Sequence, residues 1–202
     1  MTGIKLCGMM RPADVIAACE LGADYIGFVL SDGFRRSVGL GTFCELQSCA
    51  SECGKDVRKV GVFVNKPIEN ITQNFAEMLD LIQLHGKEDN GYITRLRELT
   101  GKPIIKAFTV RTDEDIKAAV QSKANYVLLD SRTGTGKTFD HSLIENIDRP
   151  FFLAGGLTAE NVGEAIEAFH PFAVDASSSL ETDGKKDKNK MAAFVAAVRK
   201  ER

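Results

Sequence analysis

The sequence has no excess of basic charge and no long apolar run, and both absences limit what the protein can bind. Its 202 residues include 26 Lys and Arg against 28 Asp and Glu, a formal net charge of -2 at pH 7. Without a broad positive field, an anionic ligand must be held by a local site. No apolar run approaches the length of a membrane span. We therefore expect a small-molecule ligand, and neither nucleic acid nor a membrane as a partner.

Residues that build metal centres and disulfide frameworks are also scarce. The chain has five cysteines, an odd number that makes no complete disulfide framework. Its three histidines lie at no zinc-like spacing from those cysteines, so we predict no metal site. No charged and then apolar leader precedes the first apolar segment. These features favour a protein of the reducing cytoplasm.

Short apolar runs alternate along the chain with segments of helical periodicity, a pattern typical of parallel βα units. The strands are predicted at Ile4–Cys7, Tyr25–Leu30, Lys59–Val64, Leu81–Leu84, Pro103–Phe108, Tyr126–Leu129, Phe151–Ala154 and Phe172–Asp175. Eight units in 202 residues fit an α/β fold, a single-domain (β/α)8 TIM barrel over residues 1–202. The alternative is a doubly wound open sheet. Its Rossmann form is disfavoured because no Gly-x-Gly-x-x-Gly follows the first strand.

Polar residues cluster at the carboxyl ends of these strands, which is the catalytic face of such a barrel. Cys7 ends the first strand and is followed at once by Gly8, so its thiol is the first candidate for a reactive group. The alternative interpretation is a buried cysteine that only packs. The other strand-end residues are Asn65, Gln83, Asp130, Gly155, Gly156 and the segment Asp175 to Ser179.

Seven motifs in register resemble the phosphoribosylanthranilate isomerase family, barrel enzymes of tryptophan biosynthesis. They are Lys-Leu-Cys-Gly at 5–8, Gly-Val-Phe-Val-Asn at 61–65, Ile-Gln-Leu-His-Gly at 82–86, Leu-Leu-Asp at 128–130, Gly-Thr-Gly-Lys-Thr-Phe-Asp at 134–140, Leu-Ala-Gly-Gly-Leu at 153–157 and Val-Asp-Ala-Ser-Ser at 174–178. Each motif is weak alone, but together they span nearly the whole chain. The resemblance implies a cofactor-free Amadori rearrangement of N-(5-phosphoribosyl)anthranilate. An aldose–ketose shift needs one acid and one base, and neither step requires a metal or redox cofactor.

The resemblance also implies roles for individual residues. Cys7 would be the general base that removes the proton from the sugar C2, and Asp130 the general acid that protonates the ring oxygen. A thiol needs cationic groups or helix N-termini nearby to ionise at neutral pH. Asp130 needs burial or a neighbouring anion to keep its proton. Its alternative interpretation is a loop carboxylate that caps the following turn.

Substrate-binding residues are expected in the loops after other strands. Arg36 would bind the anthranilate carboxylate through two parallel hydrogen bonds, although the adjacent Arg35 leaves the assignment open by one residue. Gln83 and Asp175 could touch substrate or could only satisfy a buried hydrogen-bond network. Backbone N–H groups on the glycine turns and serines of the last three strands would hold the phosphate. These residues are Gly134, Gly136, Gly155, Gly156, Ser177 and Ser178.

Three other functions are compatible with the same barrel. Rival functions are the histidine-pathway isomerase, which uses paired aspartates, a metal-dependent sugar-phosphate epimerase, and a non-catalytic barrel that only binds a phosphorylated ligand. The chain could be a monomer or a homodimer. His85 is interpreted as a loop or core histidine, and the run Lys185–Lys190 as a solvated approach to the last helix.

Overall fold

The fold is a closed barrel of eight parallel strands in sequential order, as predicted. It is seen in a computed structural model that describes residues 1–54, 56–130 and 147–200. The barrel strands are β1 (Gly3–Cys7), β2 (Tyr25–Val29), β3 (Arg58–Phe63), β4 (Leu81–Leu84), β5 (Ile104–Thr109), β6 (Tyr126–Asp130), β7 (Phe151–Ala154) and β8 (Ala173–Ala176). Strand β1 pairs with both β2 and β8, which closes the barrel.

The strand boundaries differ from the predicted ones by one residue in most cases. Strand β5 begins at Ile104 because Pro103 has no backbone N–H to donate to a ladder. The Pro103 carbonyl still accepts a hydrogen bond from the Ile82 N–H at 3.0 Å. Strand β6 extends one residue further than predicted and includes Asp130. This candidate acid is therefore fixed by the sheet ladder rather than by a loop.

Seven α-helices lie within the described residues. They are α1 (Pro12–Glu20), α2 (Leu40–Glu52), α3 (Ile68–Asn74), α4 (Asn90–Thr100), α5 (Asp113–Val120), α6 (Val162–Phe169) and α7 (Lys188–Lys200). Local sequence sets several of their ends. Pro12 is the first residue of α1, Thr112 and Asp115 form a capping box on α5, and Gly101 ends α4 in the left-handed conformation. No helix in the described parts of the chain is long and apolar enough to cross a membrane.

The barrel interior is filled by aromatic and branched side chains toward the amino ends of the strands. Tyr25 and Tyr126 are the first residues of β2 and β6, and both rings pack edge-on against Phe152, at centroid distances of 5.3 and 5.8 Å. The Arg58 guanidinium covers the Tyr25 ring at 4.1 Å. Because this end is packed, any internal cavity must open toward the carboxyl ends of the strands.

A small hairpin follows β8 and corrects the prediction for Lys185–Lys190. Strands β9 (Glu181–Thr182) and β10 (Lys185–Lys186) pair antiparallel, with Lys186 opposite Glu181. Lys186 is only 6% exposed, so the prediction that this whole run is solvated is wrong. The reason is the alternation of a β-strand, which turns Lys186 inward toward a carboxylate while Lys185 stays exposed.

Candidate active site

A cavity of about 340 Å³ opens at the carboxyl ends of the barrel strands. The structure brings all nine described site residues predicted from sequence to its wall. They are Cys7, Arg36, Gln83, Asp130, Gly155, Gly156, Asp175, Ser177 and Ser178. Arg35 and Ser179 also line it. The remaining two predicted phosphate-binding residues, Gly134 and Gly136, lie outside the described residues.

Cys7 is the last residue of β1, and the neighbouring strand leaves room for its thiol. Its register partner on β2 is Gly27. A Cβ atom at position 27 would lie 2.6 Å from the Cys7 sulfur, a distance that non-bonded atoms do not tolerate. On the other side, the Ser177 hydroxyl donates to the Cys7 carbonyl at 3.0 Å. The backbone of Cys7 is therefore held in place, and its thiol occupies space that only a glycine at position 27 leaves open.

Lys5 lies two residues before Cys7 and is a buried cation that the sequence analysis did not identify. Its Nζ donates to Asp175 Oδ2 at 2.9 Å, and Asp175 is its register partner on β8. Burial lowers the pKa of Lys5, but its interactions with Asp175 and Cys7 outweigh burial and raise that pKa above its ordinary value. Lys5 is thus a permanent positive charge beside the thiol. Its signal in the sequence is a lysine inside a strand that is otherwise apolar.

Asp130 lies at the end of β6, three strands round the barrel from β1. It is buried and faces the cavity. Its backbone is held between two neighbours, because Asp130 pairs with Thr109 of β5 and Ala154 of β7. A carboxyl group fixed in a largely water-free position is a suitable proton donor.

Gln83 and His85 form the part of the wall that belongs to β4 and the turn after it. Gln83 Nε2 lies 3.3 Å from His85 Nδ1. Burial lowers the pKa of His85, although the carboxylates of Asp130 and Asp175 oppose this effect. A neutral imidazole is therefore expected near pH 7. From the sequence, His85 is interpreted as a loop or core histidine. The structure places it on the cavity wall.

Two buried oxygen atoms of the cavity wall lack a hydrogen-bond partner among the described residues. They are Gln83 Oε1 and Asp175 Oδ1. Buried acceptors without a partner are rare in folded proteins and are common where a ligand supplies the donor. Both atoms could accept hydrogen bonds from the hydroxyl groups of a sugar.

Two arginines form a positively charged part of the cavity rim. Arg35 and Arg36 follow β2, and both bind the carboxylate of Glu181 in the hairpin after β8. The side chain of Arg36 is 19% exposed, compared with 54% for Arg35. A Cβ atom at position 8 would lie 2.5 Å from Arg36 Cδ, so the arginine stem crosses directly over Gly8. Of the two arginines, Arg36 is therefore the one packed next to Cys7.

The turns after β7 and β8 have the backbone conformations that anion sites use. Gly155 and Gly156 adopt positive φ values of 101° and 69°, which residues with a side chain rarely adopt. Ser178 begins a short 3-10 turn, Ser178–Leu180, directly after Ser177. Glycine turns and the first N–H groups of such a turn can present several main-chain donors to one phosphate.

The fold and the site define a class of protein before any relative is considered. A thiol and a buried carboxyl group at the carboxyl ends of separate barrel strands, with cationic groups and glycine turns around them, are features of a (β/α)8-barrel enzyme that acts on an anionic sugar phosphate.

Comparison with known proteins identifies the family. Residues 4–197 match the family model of N-(5'phosphoribosyl)anthranilate isomerase. The curated isomerase of Endomicrobium trichonymphae is 41% identical, with 98% of this chain and 99% of the relative covered. That of Streptococcus gordonii is 40% identical, with 98% of each chain covered. This chain belongs to the phosphoribosylanthranilate isomerase family, and its activity is that family's isomerisation in tryptophan biosynthesis.

Solved structures agree with this assignment. The crystal structure of the Thermotoga maritima isomerase is 34% identical and superposes with a TM-score of 0.90, covering 99% of this chain and 100% of that one. A further isomerase, solved in complex with reduced 1-(o-carboxyphenylamino)-1-deoxyribulose 5-phosphate, is 33% identical, with a TM-score of 0.87 over 99% and 100% of the two chains. The prediction of both fold and function is confirmed.

Proposed function

We propose that Cys7 and Asp130 are the base and the acid of the rearrangement of N-(5'-phosphoribosyl)anthranilate. The observation that supports this most directly is their placement at the ends of β1 and β6, on the wall of one cavity. The reaction begins when Asp130 donates its proton to the furanose ring oxygen. The C1–O bond then breaks as the nitrogen lone pair forms a protonated Schiff base.

The second step is proton removal at carbon. The Cys7 thiolate takes the proton from C2, and the C2–H bonding electrons move to form an enolamine whose nitrogen is neutral. Tautomerisation of this enolamine gives the ketose, so the overall reaction conserves every atom and needs no redox partner. The buried Lys5 ammonium, which interacts with Cys7, places a positive charge beside the proposed base. Lys186 adds a second cation close enough to Cys7 to interact with it.

Substrate binding is assigned to the residues around this pair. Arg36 binds the anthranilate carboxylate, while Gln83 and Asp175 accept hydrogen bonds from sugar hydroxyl groups through Oε1 and Oδ1. The phosphate occupies the turns at Gly155, Gly156, Ser177 and Ser178. The prediction that Gly134 and Gly136 contribute is retained without structural support, since both lie outside the described residues.

Oligomeric state and location form a separate part of the proposal. One Thermotoga maritima structure, 33% identical with a TM-score of 0.86, is described as generated monomers of a dimeric isomerase. We infer that the barrel can act as a monomer or as a homodimer, because both Cys7 and Asp130 lie in the cavity of one closed barrel. A mechanism that depends on a free thiol at Cys7 suits a reducing compartment such as the cytoplasm.

The test is turnover of N-(5'-phosphoribosyl)anthranilate by single variants, followed by the loss of substrate fluorescence. Cys7→Ala and Asp130→Asn should each lower kcat by about 10²–10⁴, the range typical of acid–base groups. KM should change little because both groups act on protons that move in the transition state. Cys44→Ala and Asp113→Asn are matched controls outside the cavity and should be unaffected. Near-parental turnover by a folded Cys7→Ala or Asp130→Asn protein would reject the assignment.

A further inference from the structure

Glu181 lies outside the cavity wall but contacts three of the cations around it. Its Oε1 accepts hydrogen bonds from Arg36 Nε at 2.5 Å and from Lys186 Nζ at 2.9 Å. Its Oε2 accepts from Arg36 Nη2 at 3.1 Å and also from Arg35 Nη2. The side chain of Glu181 is 5% exposed, so these contacts are largely shielded from water.

The contact between Glu181 and Arg36 uses one edge of the guanidinium and leaves the other edge available. Glu181 takes the edge formed by Nε and Nη2. A guanidinium carries five N–H donors in a planar fork, so the edge formed by Nη1 and Nη2 can still bind a second carboxylate. Among the described residues, Arg36 Nη1 donates to no protein group, and Arg36 lines the cavity. The free edge is therefore the one available to a ligand.

The hairpin of β9 and β10 fixes Glu181 independently of Arg36. Glu181 and Lys186 are opposite each other in the two-stranded pairing, and the turn between them has left-handed Asp183 and Gly184. Lys186 Nζ also donates to the Ser177 carbonyl at 2.9 Å. The carboxylate is thus anchored to the end of β8. An arginine side chain bound to it loses most of its rotational freedom before a ligand arrives.

The charge balance shows that Glu181 does not cancel the attraction for an anion. One carboxylate is shared by Arg35, Arg36 and Lys186, so the two arginines alone outnumber it and the cluster keeps a net positive charge. Burial raises the pKa of Glu181, but the hydrogen bonds from Arg36, Arg35 and Lys186 outweigh it and lower that pKa to about 2. Glu181 therefore stays ionised near neutral pH.

We propose that Glu181 is a positioning residue, which holds Arg36 by its Nε–Nη2 edge so that the Nη1–Nη2 edge is preset to receive the aromatic carboxylate of the substrate. This rests on the proposed function, which assigns that carboxylate to Arg36. Glu181 touches no reacting atom in this account. Its effect is on the affinity for one part of the substrate.

Competitive inhibition by two substrate fragments separates positioning from general structural support. Anthranilate carries the carboxylate without the phosphate, and inorganic phosphate is the complementary probe. Glu181→Gln should raise KM for the substrate and Ki for anthranilate about 10-fold, with kcat and the Ki for phosphate nearly unchanged. Glu181→Asp keeps the charge with a shorter reach, so it should give an intermediate Ki. Glu167→Gln removes an exposed carboxylate and is the matched control.

The Arg36→Ala background distinguishes failure of this inference from failure of the proposed function. There, Glu181→Gln should have no further effect on the Ki for anthranilate, because no arginine remains to be positioned. If Arg36→Ala leaves that Ki unchanged, the assignment of Arg36 itself fails. If Arg36→Ala weakens anthranilate binding and Glu181→Gln does not, only the positioning role is overturned. A lower Ki in Glu181→Gln would also overturn it, since Glu181 would then compete with the substrate.

Discussion

The thiol of Cys7 lies in space that is open only because its register partner on β2 is Gly27. A methyl group at position 27 would lie 2.6 Å from the sulfur and 3.2 Å from the Cys7 Cα and Cβ atoms. The restriction is steric and not conformational, since Gly27 is not among the glycines with a positive φ. The position of the candidate base therefore depends on a residue without any chemistry of its own.

Gly27→Ala should consequently damage catalysis by displacing the thiol. Because a shift of about 1 Å in a reacting group can cost on the order of 100-fold, we expect a fall in kcat of at least tenfold. Steady-state kinetics of the purified variant measures this. Gly41→Ala is the control, since Gly41 is in an exposed part of α2 with no atom within 4 Å of an added Cβ. Equal kcat values for the two variants would show that Gly27 is not needed to place the thiol.

The proposed phosphate-binding turn after β7 predicts that alanine has different effects at two glycines with the same backbone conformation. Gly156 and Gly101 have φ values of 69° and 64°, and neither has an atom within 4 Å of an added Cβ. Alanine at either position should therefore cost a similar amount of stability, about 1 kcal/mol. Only Gly156→Ala should also weaken phosphate binding, because only Gly156 lines the cavity. Inhibition constants for inorganic phosphate measure this, and an equal change in Gly101→Ala would contradict the site.

Glu181 makes a prediction about stability at low pH. Its pKa is about 2 in the folded protein, below the roughly 4.3 of an unperturbed glutamate. A carboxylate whose pKa is lower in the folded than in the unfolded protein stabilises the fold at pH values above its unfolded pKa. This stabilisation is lost as the pH falls from about 4.5 toward 2. Between pH 6 and 2.5, the parental protein should lose about 2–3 kcal/mol more unfolding free energy than Glu181→Gln. Urea unfolding at each pH measures the difference, with Glu167→Gln as the control. Identical losses of unfolding free energy in the parental protein and in Glu181→Gln would show that Glu181 is not the group responsible.

The sequence predicted the barrel, and it predicted that Cys7 and Asp130 lie at the carboxyl ends of strands, because both features depend on local patterns. Buried parallel strands appear as apolar runs, and a polar residue at the end of such a run marks the catalytic face. Cys7 and Asp130 are of this kind. The motifs shared with the family are the source of the proposed roles of these two residues.

The charged network around Arg36 could not be predicted in the same way. Glu181 meets Arg36 across 145 residues of chain, and no periodicity encodes such a pairing. Lys186 was misinterpreted because a cluster of lysines is typical of a solvated surface, whereas here one of them is buried. The Asp183-Gly184 dipeptide was the available signal, since it is typical of a tight hairpin turn that would place Glu181 opposite Lys186. Similarly, Lys5 was identifiable only as an unexpected charge within β1.

The most direct test of the account is the kinetic isotope effect on turnover of substrate deuterated at the sugar C2, measured in two variants. Cys7→Ser weakens the base, so removal of the C2 proton becomes the slow step and a clear primary isotope effect is expected on its residual activity. Asp130→Asn slows ring opening, a step that breaks no bond to that hydrogen, so its isotope effect should be close to 1. The reverse pattern, with a primary effect in Asp130→Asn and none in Cys7→Ser, would contradict the assignment of base and acid.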